Sequence, residues 1–332
     1  MTERERLRVA VVGTGEWWGY HHARVWHERP DTELVAIVGR TPEKVAPRAG
    51  TFGVPGYTDL TVMLDTEHPD LVSVCLPNEG HYATTLDIIR AGFPLFVEKP
   101  ITFDLVEADS LIAEAASRGL FFGLNFNHRY ARPVRLAKAA IDDGRLGAIT
   151  FASWRFGGEI GTSVHPHANL IETQCHGLDM LEHLCGPIDS VMAEMADDRG
   201  RGYTTLSVAM RFASGAVGSL VGSYDSSYAY RDTHRVEVNG DLGRLLIEDT
   251  VRRYTFQRSG DETAEVWQAG YFNDRDREFH RLFDRHVDDV VAAFRAGAEP
   301  PVHARAGRRA LALALAIVRS WEKGERVFVD GD

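Results

Sequence analysis

The chain is poor in cysteine, in lysine and in long apolar runs. Its 332 residues include three cysteines, Cys75, Cys175 and Cys185, none in a CxxC pair, which excludes a disulfide framework and argues against structural zinc. A reducing cytoplasm is the expected compartment. No apolar stretch approaches the ~18 residues of a membrane span. The charged first residues lead straight into the short run Val9 to Val12, so no signal-peptide hydrophobic region is expected. Positive charge is also scarce. Acidic residues outnumber basic ones 48 to 37, a formal charge of -11 with no basic segregation, which speaks against nucleic-acid and anionic-membrane partners. Within the basic set only Lys44, Lys99, Lys138 and Lys323 are lysine, so a site where lysine survives is informative. The remaining composition, 44% hydrophobic and 26% charged, excludes disorder, collagen and coiled coil, and the length suits about two domains.

Up to about residue 125, short uninterrupted apolar runs at 7–12, 34–38, 71–75, 95–97 and 120–124 alternate with helical patterns near 17–28, 42–49, 79–91 and 104–118. Such runs mark strands buried on both faces of a parallel sheet. The βαβ alternation predicts a doubly wound Rossmann domain with a ligand crevice at the carboxyl ends of its strands. Beyond residue 148 the pattern turns to alternating strands at 150–155, 190–195, 204–212, 216–224, 235–239 and 244–247, separated by turn signals such as Asn239-Gly240-Asp241. Helices at 275–296 and 304–323 and a strand at 326–329 complete an α+β domain on a large, mostly antiparallel open sheet. The expected division is 1–125, dinucleotide-binding, and 126–332, substrate-binding and oligomerising, with the C-terminal segment able to pack back on the first. A shared interface is then the expected place for a small-molecule site.

The first strand runs into Gly13-Thr14-Gly15-Glu16-Trp17-Trp18-Gly19. A GxG between strand and helix lets the backbone approach a pyrophosphate that the helix N-terminal amides stabilise. The third glycine is displaced by one, with Trp18 in its usual place, and the Glu16 carboxylate is expected to point away. At the end of the second strand stand Val38-Gly39-Arg40-Thr41, with no carboxylate for a ribose. Arg40 offers a charge-assisted pair to a 2′-phosphate and Thr41 a hydroxyl, so NADP is favoured over NAD.

Leu76-Pro77-Asn78 follows the strand at 71–75, with His81 three residues on, and Val97-Glu98-Lys99-Pro100 ends the strand at 95–97. With the GTG loop, Asn127-His128-Arg129-Tyr130, the segment Glu172 to Asp179 and the closing Ser320 to Val327, the chain resembles, over essentially its whole length, the glucose-fructose oxidoreductase, inositol dehydrogenase and rhizopine catabolism (Gfo/Idh/MocA) family. The resemblance implies that Lys99 is the catalytic lysine and that Glu98 lies beside the nicotinamide ribose. It also implies that Leu76 is a cofactor contact, that Pro77, Asn78 and His81 line the nicotinamide side and that the Lys99-Pro100 bond is cis. The chemistry agrees, because a lysine at a strand end in a crevice can hydrogen-bond a reacting oxygen.

Residues 168–185 read as one amphipathic helix. At 100° per residue, Glu172, His176, Asp179 and His183 fall into a stripe beside Ile171, Cys175, Leu178, Leu181 and Cys185, as in a cleft lining. In the family pattern His176 is the acid/base histidine, one turn after a carboxylate that is usually Asp and here is Glu172. Asp179 is a candidate to orient the His176 ring, with helix capping as the alternative. A metal site is disfavoured because His176 and His183 lie roughly 10 Å apart along the axis. His165 and His167 read either as a loop reaching substrate hydroxyls or as an exposed turn. Asn127, Arg129, Trp154 and Arg155 fall where the domains should meet. Arg129 is a candidate contact to the cofactor or to an acidic substrate group, Trp154 an apolar wall for a sugar ring, and Asn127 and Arg155 are candidate substrate contacts, with interface packing as the alternative for Arg129, Trp154 and Arg155.

The reading is an NAD(P)-dependent dehydrogenase or reductase acting on a sugar, inositol or related polyol, forming homodimers or homotetramers. The alternatives are a glycosidase working by transient oxidation, and a non-catalytic dinucleotide-binding regulator.

Overall fold

Runs of Val, Leu and Ile stay dry only where both faces of a sheet are covered, and the first half of the chain meets that condition. The computed structural model describes residues 6–77, 80–158, 165–197, 200 and 202–329. The chain divides into two units. One runs up to Asn125 and includes Phe283–Arg308; the other holds Phe126–Leu282 and the segment from Arg309.

The first unit is built from β1 (Leu7–Val12), α1 (Trp18–Glu28), β2 (Thr32–Val38), α2 (Pro42–Phe52), β3 (Gly56–Tyr57), α3 (Leu60–Glu67), β4 (Leu71–Val74), α4 (His81–Arg90), β5 (Leu95–Glu98), α5 (Leu105–Ser117) and β6 (Phe122–Asn125). Its six strands are all parallel in the order β3-β2-β1-β4-β5-β6, the order of dinucleotide-binding sheets. β4, β5 and β6 are buried at every position. Two elements escaped the sequence reading. β3 is two residues long, too short to show a period, and α3 is an eight-residue helix begun by Asp59, whose side chain accepts from the Val62 amide at 3.0 Å.

The second unit starts with a 3-10 turn at Asn127–Tyr130 and α6 (Arg132–Asp142). It continues through β7 (Ile149–Gly157), a π-helical turn at Asn169–Thr173, α7 (Cys175–Cys185), β8 (Ile188–Ala196), β9 (Thr205–Phe212), β10 (Val217–Ser223), β11 (His234–Gly240), β12 (Gly243–Glu248), β13 (Arg253–Arg258) and β14 (Glu265–Gln268). α8 (Asp274–Arg277), α9 (Arg281–Arg295), α10 (Ala304–Lys323) and β15 (Val327–Phe328) follow. The nine-stranded sheet has the order β14-β13-β12-β11-β7-β10-β9-β8-β15 and is antiparallel except for the β7–β10 pair. α6, β13 and β14 were not anticipated, and the expected helix at 275–296 is two helices broken at Glu278. From Phe283 onward α9 belongs to the first unit, where Phe283, Val287, Val290 and Val291 join a core containing Val9, Val11, Trp26 and Phe96.

α7 packs on one face of the second sheet at close range. A Cβ on Gly177 would lie 2.4 Å from Trp154 Nε1, and one on Gly222 2.4 Å from Gln174 Cδ, so both positions require glycine. The opposite face exposes Phe151, Met192, Val217 and Val221.

Candidate functional site

In the first unit the loop between β1 and α1 is shaped by its glycines. Gly13 has φ 142°, and a Cβ there would meet the Cys75 carbonyl oxygen at 2.4 Å. Gly19 acts as the third glycine, since its Cβ would lie 2.9 Å from the Thr14 carbonyl carbon. Beside Gly15 the ground is open, with only the Gly19 nitrogen, 3.7 Å away, within reach of a Cβ. α1 has no side-chain cap and no acidic residue in its first turn, so its first amides are available to an anion. These residues fit a dinucleotide pyrophosphate. Glu16 and Trp17 are exposed. Trp18, expected at the cofactor, is half-buried and packs its ring edge-on to Phe283 at 5.9 Å. Arg40 and Thr41 stand exposed after β2, whose tip lies on the loop: a Cβ on Gly39 would be 2.6 Å from Thr14 Cγ2. Arg48 went unnoticed in the sequence. From α2 it donates to the Gly15 carbonyl at 3.1 Å and lies over the Tyr20 ring, bringing positive charge to the loop.

Lys99 follows β5, half-buried, and its peptide bond to Pro100 is cis. Glu98, expected beside a ribose, is instead taken up inside the unit, because a buried charge requires partners. Its Oε1 lies 2.9 Å from His22 Nε2 and accepts from Asn125 Nδ2 at 2.5 Å, while Oε2 accepts from the Lys99 amide at 3.3 Å. The chain of contacts extends from His22 Nδ1 to Ser73 Oγ at 2.8 Å and from Asn125 Oδ1 to His286 Nδ1 at 2.9 Å. Burial pushes the Glu98 carboxyl upward, but the His22 and Asn125 hydrogen bonds and the Lys99 charge prevail and hold it below the ordinary carboxylate value. His81, expected along the nicotinamide, is buried against the Pro100 and Ile101 backbone. Burial pushes its pKa down to about 4, so it is a neutral support for the Lys99-Pro100 turn. Leu76 and Pro77 follow β4 with partial and full exposure, and Asn78 lies outside the described residues.

In the second unit the anticipated continuous helix at 168–185 is interrupted. The π-helical turn at Asn169–Thr173, marked by the Gln174 amide donating to the Asn169 carbonyl at 2.9 Å, precedes α7. That wider turn breaks the 100° spacing between Glu172 and the rest of the expected stripe, whereas His176, Asp179 and His183 keep it within α7. Glu172 stays half-buried on the π-turn, within electrostatic reach of His165 and Tyr224. Asp179 does not orient His176. It is gripped by Arg129, whose Nε donates to Oδ2 at 2.8 Å while Nη2 donates to Oδ1. The charge of Arg129, expected at the cofactor, is thereby committed to a buried carboxylate. His183 is pushed down to about 4 by burial and by the Arg129 and Lys138 charges.

His176 instead meets His128. The two buried imidazoles stack 4.0 Å apart with 12° between their planes, and Phe126 closes on His176 edge-on at 5.8 Å. Asn127 is buried beside them in sequence, and its Nδ2 has no partner among the described residues. Trp154 is a core residue, 1% exposed, its Nε1 donating to Gln174 Oε1 at 2.9 Å, and so is no wall for a sugar. Arg155 is the next residue of β7, so the strand's period of two sends it to the exposed face, where it donates to the Asp232 carbonyl. The His167 amide donates to His165 Nδ1 at 3.1 Å, and the His167 ring stacks on Tyr203 at 5.1 Å. Burial lowers the pKa of both histidines. Among the described residues no group of three or more His, Cys, Asp or Glu is placed to hold a metal.

Residues 7–126 match the profile described as "Oxidoreductase family, NAD-binding Rossmann fold", named GFO_IDH_MocA, and residues 138–329 match its "C-terminal alpha/beta domain". The inositol 2-dehydrogenase of Rhizobium meliloti (strain 1021) is 26% identical, covering 95% of this chain and 96% of its own. The myo-inositol 2-dehydrogenase of Thermotoga maritima is 24% identical, covering 97% and 98%. Among solved structures, a levoglucosan dehydrogenase in complex with NADH and levoglucosan superimposes with a TM-score of 0.87 at 19% identity, covering 98% of this chain and 100% of that one, a likeness of fold.

Proposed function

Because the chain belongs to the Gfo/Idh/MocA oxidoreductase family, we propose that it is an NAD(P)-dependent dehydrogenase or reductase working on a hydroxyl/carbonyl pair of a sugar, inositol or related polyol. The observation that carries this reading is the glycine-lined loop at the uncapped start of α1, in a sheet of dinucleotide-binding order. The full-length relatives named inositol dehydrogenases supply the substrate class.

When bound, the nicotinamide supplies the acceptor or donor of hydride. In the direction of oxidation His176 takes the hydroxyl proton, and the Lys99 ammonium holds the developing negative charge on that oxygen. Reduction reverses the two roles. Glu98, bound by His22 and Asn125, keeps the end of β5 in place, so Lys99 extends from a fixed base. Asn127, Glu172, His165 and His167 are the groups we assign to the remaining substrate hydroxyls.

We assign Arg40 and Thr41 to a 2′-phosphate, which favours NADP over NAD, because β2 ends without a carboxylate for the ribose. The exposed apolar face of the second sheet supports a homodimer or homotetramer. No helix among the described residues is long and apolar enough to cross a membrane, and the three cysteines are free, which supports a cytoplasmic setting.

Replacing Lys99 by Met tests the reading. Turnover should fall by at least about 100-fold, while reduced cofactor still binds in a fluorescence titration. Near-normal turnover would overturn the assignment.

A further inference from the structure

A glycine that lets the backbone approach a phosphate also lets it turn the wrong way. With no Cβ at Gly15, the peptide unit between Gly15 and Glu16 can present either its N–H or its carbonyl oxygen to an incoming anion, and a carbonyl oxygen repels one. We propose that Arg48 is a positioning residue for the cofactor: its guanidinium holds the Gly15 carbonyl toward α2, which turns the Glu16 N–H the other way as a donor for the pyrophosphate. This role rests on the reading of the loop as a dinucleotide site.

Arg48 lies half-buried on α2, and its Nη2 donates to the Gly15 carbonyl at 3.1 Å. A peptide unit is planar, and this one is trans, since among the described residues only Lys99-Pro100 is cis. Its C=O and N–H therefore point in opposite directions, and fixing the first aims the second. Room for a ligand remains at Gly15 itself, where a Cβ would find only the Gly19 nitrogen, 3.7 Å away. The uncapped first amides of α1 follow directly, so the Glu16 N–H extends a row of donors that the helix already offers.

Two further features suit Arg48 to this task. It is held in place: the guanidinium carbon lies 5.3 Å from the centre of the Tyr20 ring, and Tyr20 of α1 leans on Phe52 of α2 with ring centres 5.8 Å apart. A long side chain already laid on an aromatic face has less freedom to lose, so the carbonyl is gripped before a ligand arrives. Its charge is also unspent. Among the described residues no carboxylate pairs with it and its buried Nε has no hydrogen-bond partner, in contrast to Arg129, which Asp179 neutralises. The loop carries the exposed Glu16 carboxylate, an anion where a second anion must dock. A positive charge bonded to the same peptide unit offsets it.

Binding to the full chain, rather than turnover, tests this role. Kd values for NADH, NADPH and ADP-ribose are measured by calorimetric titration of the wild type and of Arg48→Met, with the urea midpoint as the check on folding. Arg48→Met should weaken all three ligands alike by about 10-fold or more, the worth of a charge-assisted hydrogen bond. Unchanged affinity for ADP-ribose would overturn the proposal. A loss confined to NADPH would make Arg48 a second ligand of the 2′-phosphate and overturn it equally. The loss should persist from about 0.05 to about 0.5 M NaCl, since a hydrogen bond to a carbonyl is screened far less than a distant charge. A loss that vanishes in high salt would reduce Arg48 to its long-range field. Arg48→Lys keeps the charge without the planar fork that lies on Tyr20, so it should recover only part of the affinity, and full recovery would contradict the pinning of the carbonyl. A wild type that binds none of the three ligands sinks the dinucleotide reading itself, whereas tight binding by both the wild type and Arg48→Met sinks only the role of Arg48. Should Arg48→Met fail to fold, Arg48→Lys decides.

Discussion

Both units bury histidines, and they hold them in opposite ways. In the first, His22 is fixed by its nitrogens, one at Ser73 Oγ and one at Glu98 Oε1, with Asn125 and His286 extending the chain. In the second, His128 and His176 meet through their faces, within a surround of Phe and Trp rings. A ring bonded at both nitrogens to fixed partners is a brace, and it locks a carboxylate under the strand end that carries Lys99. A ring placed by stacking has its plane set by its neighbour. The first unit thus places a histidine through its ring nitrogens, the second through its ring faces.

The comparison breaks first at the brace. His22→Leu strips the buried Glu98 carboxylate of its imidazole partner and should cost about 3–5 kcal/mol, read as a lowered midpoint in urea unfolding. An unchanged midpoint would mean that Glu98 finds another partner and that the brace is dispensable.

A fixed charge should also set cofactor choice. Arg40→Asp should lower kcat/KM for NADP by about 10- to 100-fold, the worth of a charge-assisted hydrogen bond, with NAD affected far less. Equal losses with both cofactors would reduce Arg40 to a stacking or packing role.

Stability against pH sharpens the second half of the comparison. His183 has a folded pKa lowered to about 4, against 6.5 unfolded. The unfolded state therefore binds more protons between those values, and the stability present above 6.5 drains as pH falls toward 4. The slope from this group is about 1.4 kcal/mol per pH unit, and urea unfolding of His183→Gln should lack that share. A variant with the wild-type slope would contradict the burial of the neutral ring. Glu98 works in the window below it: its depressed pKa contributes stability above the ordinary carboxylate value and loses it as pH falls further.

The smallest effect concerns the stack. His128→Phe replaces one ring by another of similar shape and should change stability by less than about 1.5 kcal/mol. A larger loss would show that His128, like His22, is held chiefly by bonds.

The fold was legible because its signals are local: uninterrupted apolar runs for β1, β4 and β5, alternation for β9 and β11, a glycine loop at the first turn. The elements that escaped are too short for a period, as with β3, or fall where only tertiary packing decides. The site was legible in part. Lys99 and the glycine loop stand at strand ends that sequence pattern locates, but the Glu98 network joins residues from 27 to 161 positions apart, and no local pattern records such pairing. The stripe of Glu172, His176, Asp179 and His183 failed in part for a geometric reason, since the π-turn shifts Glu172 out of step with the three residues of α7, and in part because Asp179 pairs with Arg129 from a distant segment. Trp154 and Arg155 were adjacent letters that a strand sends to opposite faces. His128 was visible inside Asn127-His128-Arg129-Tyr130, yet its partnership with His176 exists only in three dimensions.

The central claim is the proposed assignment of Lys99 and His176 to one substrate hydroxyl. A crystal structure of the chain with NAD or NADP and a cyclic polyol tests it most directly. The account predicts a ring carbinol oxygen within hydrogen-bond distance of both Lys99 Nζ and a His176 ring nitrogen. A ring bound away from either side chain would contradict it.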